Sequence, residues 1–272
     1  MRWRAIAAVL AILVVGGCAS TGGPETGPTT PTVGNPVVLG LNAAEDNSPV
    51  PVVVLVPGGS WTSSDATGLL PLGRWLADRG AVVGVITYRT AADHAFFPVP
   101  AQDIACGLAQ VVATVRAAGV SVGDVILVGH SAGAQLSALV ALTGTRYATG
   151  CDAAPVAPDG FVGLSGPYDV VVAGKPADAL FGPDDTDPST WAVGNPMAQV
   201  ALRPNLPVLL VHGLADETVP VSFTRQFAAA LQDAGHPTQV QYLNGGDHMS
   251  TIDPDKVGPL ISAWFRREGA TG

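Results

Sequence analysis

The sequence predicts an α/β fold in which a mostly parallel central sheet is flanked by helices. Three observations carry this. From about residue 50 onward, short runs rich in β-branched residues alternate with helical segments of about ten residues or more, which is the pattern of βαβ units. Several of those runs are apolar throughout, Val52–Val56 most plainly, as expected of strands covered on both faces rather than one. Glycines 80, 119 and 235 stand just past the helical stretches, where a left-handed residue ends a helix at least cost.

Along the chain, the first segment is set apart from the fold. Arg2 and Arg4 precede an apolar run, Ala5–Val15, too short to span a bilayer, followed by Val15-Gly16-Gly17-Cys18. A charged start, a short apolar stretch and small residues at the end describe an export signal. The Val-Gly-Gly-Cys ending resembles a bacterial lipobox, so residues 1–17 are read as a lipoprotein-type signal peptide and Cys18 as the lipidated residue. The alternative is an ordinary secretory signal with Cys18 incidental. The expected location is the cell surface, anchored to the bacterial membrane through the lipid, or secreted if Cys18 carries none. Residues 18–36, dense in Gly, Pro and Thr, bury too little surface to offset chain entropy and read as a disordered tether. Residues 37–272 read as a single domain.

Within it, one or two opening strands are expected around Val37–Leu41, then the strand Val52–Val56. Gly68–Arg79 reads as a helix with Leu69, Leu72, Trp75 and Leu76 on one face, the spacing of an amphipathic helix. Strand Ala81–Tyr88, helix Ala101–Ala118, strand Val125–Val128 and helix Ala132–Leu142 follow. Strands Phe161–Leu164 and Val208–Val211, helix Val221–Ala234, strand Gln239–Leu243 and helix Asp255–Arg267 complete the series. One interval breaks the rhythm. Gly166–Asn205 is Pro- and Asp-rich and weakly periodic; a stretch that long is usually functional or flexible, and it reads as a short cap insertion around 166–205.

Composition narrows the function. Apolar residues make up 47% of 272 and charged residues 13%, which predicts a sizeable core. A formal charge of −9 leaves no basic surface for nucleic acid. With Cys18 set aside, Cys106 and Cys151 remain, an even number in an oxidising compartment, and they form a disulfide candidate. The five histidines lack ligand spacing, so no metal and no cofactor is expected.

The chemistry gathers around Gly129-His130-Ser131-Ala132-Gly133, a Gly-x-Ser-x-Gly motif between a predicted strand and a predicted helix. Serine on such a turn is presented above the sheet edge, with the helix start aiming N–H groups at a developing oxyanion. A serine hydroxyl needs a general base. His130 adjoins Ser131, but its side chain should point away from it. His212 ends a strand and reads as a packed support, His236 as solvated, and His94 as a loop residue able to line the pocket. His248, in Gly245-Gly246-Asp247-His248 after the last strand, is the expected base. Asp216, in the loop after Val208–Val211, is the expected acid that orients it; Asp247 and Glu217 compete less well. Val56-Pro57-Gly58-Gly59-Ser60-Trp61 closes the first buried strand, and Gly58, Gly59 and Ser60 with Ala132 are the expected oxyanion hole. One such donor is worth about 3 kcal/mol in the barrier. Trp61, His130 and Tyr168 are candidate pocket residues.

With these motifs in order, residues 50–267 resemble the α/β-hydrolase superfamily, and within it the esterase/lipase group of carboxylesterases and hormone-sensitive-lipase-like enzymes. Pro57-Gly58-Gly59-Ser60-Trp61 resembles that group's His-Gly-Gly-x-Trp loop, with Pro57 in place of the histidine and one organising bond therefore missing. Tyr88-Arg89, Phe97-Pro98 and Gln102-Asp103 resemble its Tyr-Arg, Phe-Pro and Asp stretch. Ser165–Asp169 and Phe181-Gly182 resemble its cap entry, and His212–Pro220 its His-Gly-x-x-Asp-x-x-Val-Pro. The resemblance implies a serine carboxylic-ester hydrolase acting on short or medium acyl esters, small molecules, through an acyl-enzyme intermediate. Two alternatives stay open: an amide or formamide hydrolase with the same triad, and a non-catalytic surface lipoprotein that binds a ligand. The oligomeric state is not legible.

Overall fold

The computed structural model describes residues 33–41, 48–183 and 187–268. The expected signal peptide, Cys18 and nearly all of the tether therefore lie outside the described residues. Among the described residues, seven strands form one sheet: β1 Val37–Leu39, β2 Val50–Val56, β3 Val82–Val85, β4 Val122–His130, β5 Gly160–Leu164, β6 Val208–Gly213 and β7 Thr238–Leu243. Their spatial order is β1-β3-β2-β4-β5-β6-β7. Only β1 runs antiparallel, against β3; every other neighbouring pair is parallel. The expected mostly parallel sheet is what forms, with one described opening strand.

Alternation along β2 shows why. Val52, Val54 and Val56 face one core with Ile104, Leu108 and Leu139, from the helices α2 (Val99–Ala117) and α3 (Ala132–Thr143). Val53 and Leu55 face the other with Leu72, Leu76, Ile261 and Trp264, from α1 (Leu70–Ala77) and α8 (Pro254–Glu268). Period-2 apolar residues on both faces need a layer of helices on each side. Between β5 and β6 run three short helices, α4 (Val170–Ala173), α5 (Asp178–Phe181) and α6 (Pro188–Val193); α7 (Ser222–Asp233) joins β6 to β7. The expected cap thus has helical turns of its own.

Two expected elements change length. The third strand stops at Val85 instead of Tyr88, because Ile86–Tyr88 leave the ladder while staying buried, and Tyr88 becomes an anchor described below. The fourth strand extends to His130, since β5 continues to pair with it up to Leu164. Cys106 of α2 and Cys151 are bonded, as the cysteine count suggested, and the bond closes 45 residues of chain. The sheet order reverses direction on either side of β2, so the loops after β2, β4, β5, β6 and β7 meet at one carboxyl edge. That edge is where open α/β sheets place ligands.

Candidate active site

Ser131 sits between β4 and α3 with φ 53° and ψ −125°. A non-glycine residue with positive φ costs of order 1–3 kcal/mol and persists only where its surroundings over-determine it. Here they do: the Ser131 N–H donates to the Leu164 carbonyl at 2.8 Å, and the Ser131 carbonyl accepts from the Ala134 N–H at 2.9 Å. The turn is pressed against the loop after β2. A Cβ on Gly133 would strike the Pro57 carbonyl oxygen, and one on Gly58 would lie 2.7 Å from Cβ of Ser131. Only glycine at both places lets that loop lie against the serine. Ala132 opens α3, and first-turn amides have no partner within their helix, so its N–H is available to an oxygen beside Ser131.

The loop after β2 is itself sharply turned. Gly59, Ser60 and Trp61 have φ of 132°, 51° and 58°, and the Gly59 carbonyl accepts from the N–H groups of Thr62 and Ser63, both at 3.0 Å. Pro57 removes the bond a histidine would make, and other groups hold the loop. The Tyr88 hydroxyl donates to the Pro57 carbonyl at 3.2 Å, and the Tyr88 N–H donates to Ser64 Oγ at 2.9 Å. Trp61 Nε1–H donates to Gln135 Oε1 at 2.9 Å, and Gln135 Nε2 donates to the Gly194 carbonyl at 2.9 Å, which links the loop through α3 to the cap. Burial pushes the Tyr88 phenol well above its ordinary value, so it stays a neutral donor.

Asp216 and His248 are brought together by the loops after β6 and β7. His248 Nδ1 lies 2.8 Å from Asp216 Oδ2; the Asp216 side chain is fully buried and that of His248 is 14% exposed. An ionised carboxylate only accepts, so Nδ1–H donates and Nε2 keeps its lone pair. Asp216 Oδ1 accepts from the Thr218 and Val219 N–H groups, both at 2.9 Å. Burial alone would raise this carboxyl, but the bonds from Val219, His248 and Ser165 outweigh it and hold it below the usual carboxylate range. His212 is the packed support expected of it: Nδ1 lies 2.7 Å from Thr224 Oγ1 and Nε2 2.9 Å from the Val219 carbonyl. Its Nε2 is also 3.3 Å from Asp216 Oδ2. Burial lowers its basicity, so the neutral ring both accepts from Thr224 and donates towards Val219 and Asp216.

Two cavities meet at Ser131. One, of about 320 Å³, is lined by His248, His130, Gly58, Gly59 and Ser131 among others. The other, of about 310 Å³, is lined by Trp61, Ala132, Val172, Pro176 and Phe223. Ser60, Ser131 and Thr218 line both. Of the expected pocket residues, Trp61 and His130 reach these cavities. The His130 ring packs 4.7 Å from the His248 ring, and its Nε2 lies 3.3 Å from the His248 carbonyl; burial first, and then the neighbouring His248, lower its pKa to about 4.

Three expectations need correction. Tyr168 does not line either cavity: it is fully buried and stacked on Phe227 with centroids 4.3 Å apart, because its ring fills the space beside Gly163 and Gly166. His236 is not solvated. It is 3% exposed, and its ring nitrogens lie 3.1 and 2.7 Å from the Leu206 and Val200 carbonyls, where it ties the end of the cap to the turn before β7. His94 lines neither cavity and is exposed at the end of a short helical turn. The competing acids are placed apart. Asp247 is occupied by Ser250, which donates to it through N–H and Oγ at 2.8 and 2.7 Å, and Glu217 is exposed.

Sequence reasoning missed Ser165 and Thr251. Ser165 has φ 49°, is fully buried, bonds Asp216 and accepts from Thr251 Oγ1 at 3.2 Å. The available signal was position, since Ser165 follows β5 at the same edge as Ser131 and Asp216. Among the described residues, no cluster of His, Cys, Asp and Glu could hold a metal ion, and no helix is long and apolar enough to cross a membrane.

Comparison with known proteins places the chain among esterases. Residues 41–231 match the BD-FAE family. Esterase LipC of Mycobacterium tuberculosis is 30% identical over 233 residues, covering 79% of this chain and 57% of that protein. The probable isoprenylcysteine alpha-carbonyl methylesterase of Oryza sativa subsp. japonica is 28% identical, covering 78% of this chain and 55% of that protein. The chain thus spans little more than half the length of these relatives. Among solved structures, a truncated carbohydrate esterase from gut microbiota superposes with a TM-score of 0.72 at 17% identity, covering 89% of this chain and all of that one; at that identity the likeness concerns the fold.

Proposed function

We propose, starting from a chain that belongs to the BD-FAE family of α/β-hydrolase esterases, that it is a serine carboxylic-ester hydrolase acting on short or medium acyl esters through Ser131, Asp216 and His248. The observation that carries this reading is the placing of a strained serine and an Asp-bound histidine on one cavity.

In the reaction, His248 Nε2 takes the Ser131 Oγ proton as Oγ bonds to the ester carbonyl carbon. The carbonyl oxygen becomes an oxyanion, received by the Ala132 N–H and by backbone N–H groups of the Gly58–Ser60 turn. The carbon–oxygen bond to the alcohol then breaks, and the proton on His248 passes to the leaving alkoxide. Water then attacks the acyl carbon as His248 takes its proton, and the bond from that carbon to Ser131 Oγ breaks as His248 returns the proton to Oγ, releasing the acid and restoring Ser131. Asp216 stays ionised and stabilises the imidazolium formed at each step. The charged start, apolar run and Val-Gly-Gly-Cys ending support export as a lipoprotein anchored through Cys18.

The test is hydrolysis of p-nitrophenyl acetate and butyrate by the parent and by Ser131→Ala, with labelling by a fluorophosphonate probe. Turnover and labelling by the parent, with kcat at least about 10⁴-fold lower in the variant, are expected. A parent that neither turns over nor labels overturns the reading, and turnover of an aryl formamide far above both esters replaces it with amide hydrolysis.

A further inference from the structure

The two cavities flanking Ser131 are nearly equal in volume, at about 310 and 320 Å³, but differ in lining. Trp61, Val172, Val219 and Phe223 give the first an apolar wall. The second also has apolar residues, Leu69, Met249 and Ile252, and differs from the first in being lined by His248, Ser63 and Asp65. Among the described residues, no lysine or arginine lines either. Asp65 is exposed and its Oδ1 accepts from the Thr67 N–H at 2.9 Å; those bonds hold its carboxyl below the ordinary value, so it is anionic at neutral pH. His130, the other titratable group on that wall besides His248, is neutral there.

Chemistry sorts the two halves of an ester between these chambers. The group that takes the Ser131 proton must hand it to the departing alkoxide, so the alcohol leaves on the side where His248 stands. We infer that the 320 Å³ chamber takes the alcohol half of the ester, and that Asp65 makes it select uncharged or cationic alcohols over anionic ones, while the 310 Å³ chamber takes the acyl half. This rests on the serine-esterase reading above. The contribution of Asp65 is Coulombic: a single carboxylate some 6 Å from a charge in a water-filled chamber changes binding by roughly threefold, so exchanging a cation for an anion spans about tenfold, and salt shrinks it.

Three acetates with one acyl group test it: phenyl acetate, 3-acetoxybenzoate and 3-acetoxy-N,N,N-trimethylanilinium, assayed at low ionic strength. Intrinsic reactivity cancels when the cation-to-anion ratio of kcat/KM is compared between proteins. Asp65→Asn keeps the oxygen that accepts from Thr67 and removes the charge; Asp78→Asn, beyond the end of α1 at the opposite edge of the sheet, controls for the overall charge of −9. The expected result is a ratio about tenfold lower in Asp65→Asn, lower again in Asp65→Lys, and unchanged in Asp78→Asn. A ratio in Asp65→Asn within twofold of the parent, or a fall matched by Asp78→Asn, overturns the inference while leaving the esterase reading intact. Failure of the parent on all three acetates overturns the esterase reading, and the inference with it.

Discussion

The turn at Ser131 and the cap between Gly166 and Asn205 border the same apolar chamber, yet they are built in opposite ways. The turn is fixed by backbone against backbone. Ser131 is tied to Leu164, and Gly133 and Gly58 leave no room for a side chain. The cap is anchored in the core by Val170, Leu180 and Phe181, and its surface turns are fixed by polar side chains at the ends of short helices. Asp169 Oδ1 accepts from Val171 and Val172 N–H at 3.1 and 3.2 Å, and Asn195 Nδ2 donates to the same oxygen at 3.0 Å. Val171 and Val172 are 60% and 62% exposed. The wall that sets the reacting geometry tolerates no change, while the wall that meets the substrate can change without disturbing the sheet. Such a division suits a fold whose chemistry is constant and whose substrates vary.

Breaking the rigid side should have the largest effect. Gly133→Ala places a methyl against the Pro57 carbonyl oxygen and 2.8 Å from that of Val56, forcing apart the serine turn and the oxyanion loop. Urea unfolding should show a loss of about 3 kcal/mol, and kcat for p-nitrophenyl acetate should fall at least about 100-fold. Unchanged stability would mean the two loops are not locked together.

A comparable but pH-gated effect is expected at His130, behind the same turn. Its pKa in the folded protein is about 4, below the roughly 6.5 of an unfolded chain. Between those values the unfolded state binds the extra proton, so stability is full above about pH 6.5 and declines as pH falls towards 4. The decline attributable to His130 is about 3 kcal/mol. His212, also lowered by burial, adds to the decline below pH 6.5, whereas the depressed Asp216 loses its contribution only below its ordinary carboxylate value. Comparing urea midpoints of the parent and His130→Gln from pH 7 to 4 isolates the His130 share; parallel curves would show that the ring is not held neutral.

What the sequence made legible follows the same division. Continuous apolar runs announced β2 and β4, and the Gly-x-Ser-x-Gly spacing announced the turn, because in both cases the constraint is local and written in consecutive residues. Asp216 and His248 were placed by chain order and by their loops, and the structure sets them 2.8 Å apart. Contacts between distant segments were not legible. Tyr168 is a candidate pocket residue by sequence, but Phe227 of α7 offers it a stacking face in the core. His236 follows a helix-ending glycine, a solvated position by local rule, yet two carbonyls from the cap's end cover it. The support that Pro57 forgoes comes from Tyr88, 31 residues away, and no local pattern encodes that distance.

The smallest effect on stability is expected in the cap, and it sharpens the comparison most. Val171 and Val172 are largely exposed, so replacing both with serine should change unfolding free energy by no more than about 0.5 kcal/mol. Val172 nevertheless lines the apolar chamber. If the acyl chain lies there, each methylene that loses an apolar neighbour forfeits up to about 0.8 kcal/mol. The preference for p-nitrophenyl butyrate over acetate, read as a ratio of kcat/KM, should then fall about threefold while kcat for the acetate holds. A double variant that unfolds as early as Gly133→Ala would show the cap to be part of the rigid frame. A stable variant with an unchanged butyrate-to-acetate ratio would place the acyl chain away from Val172.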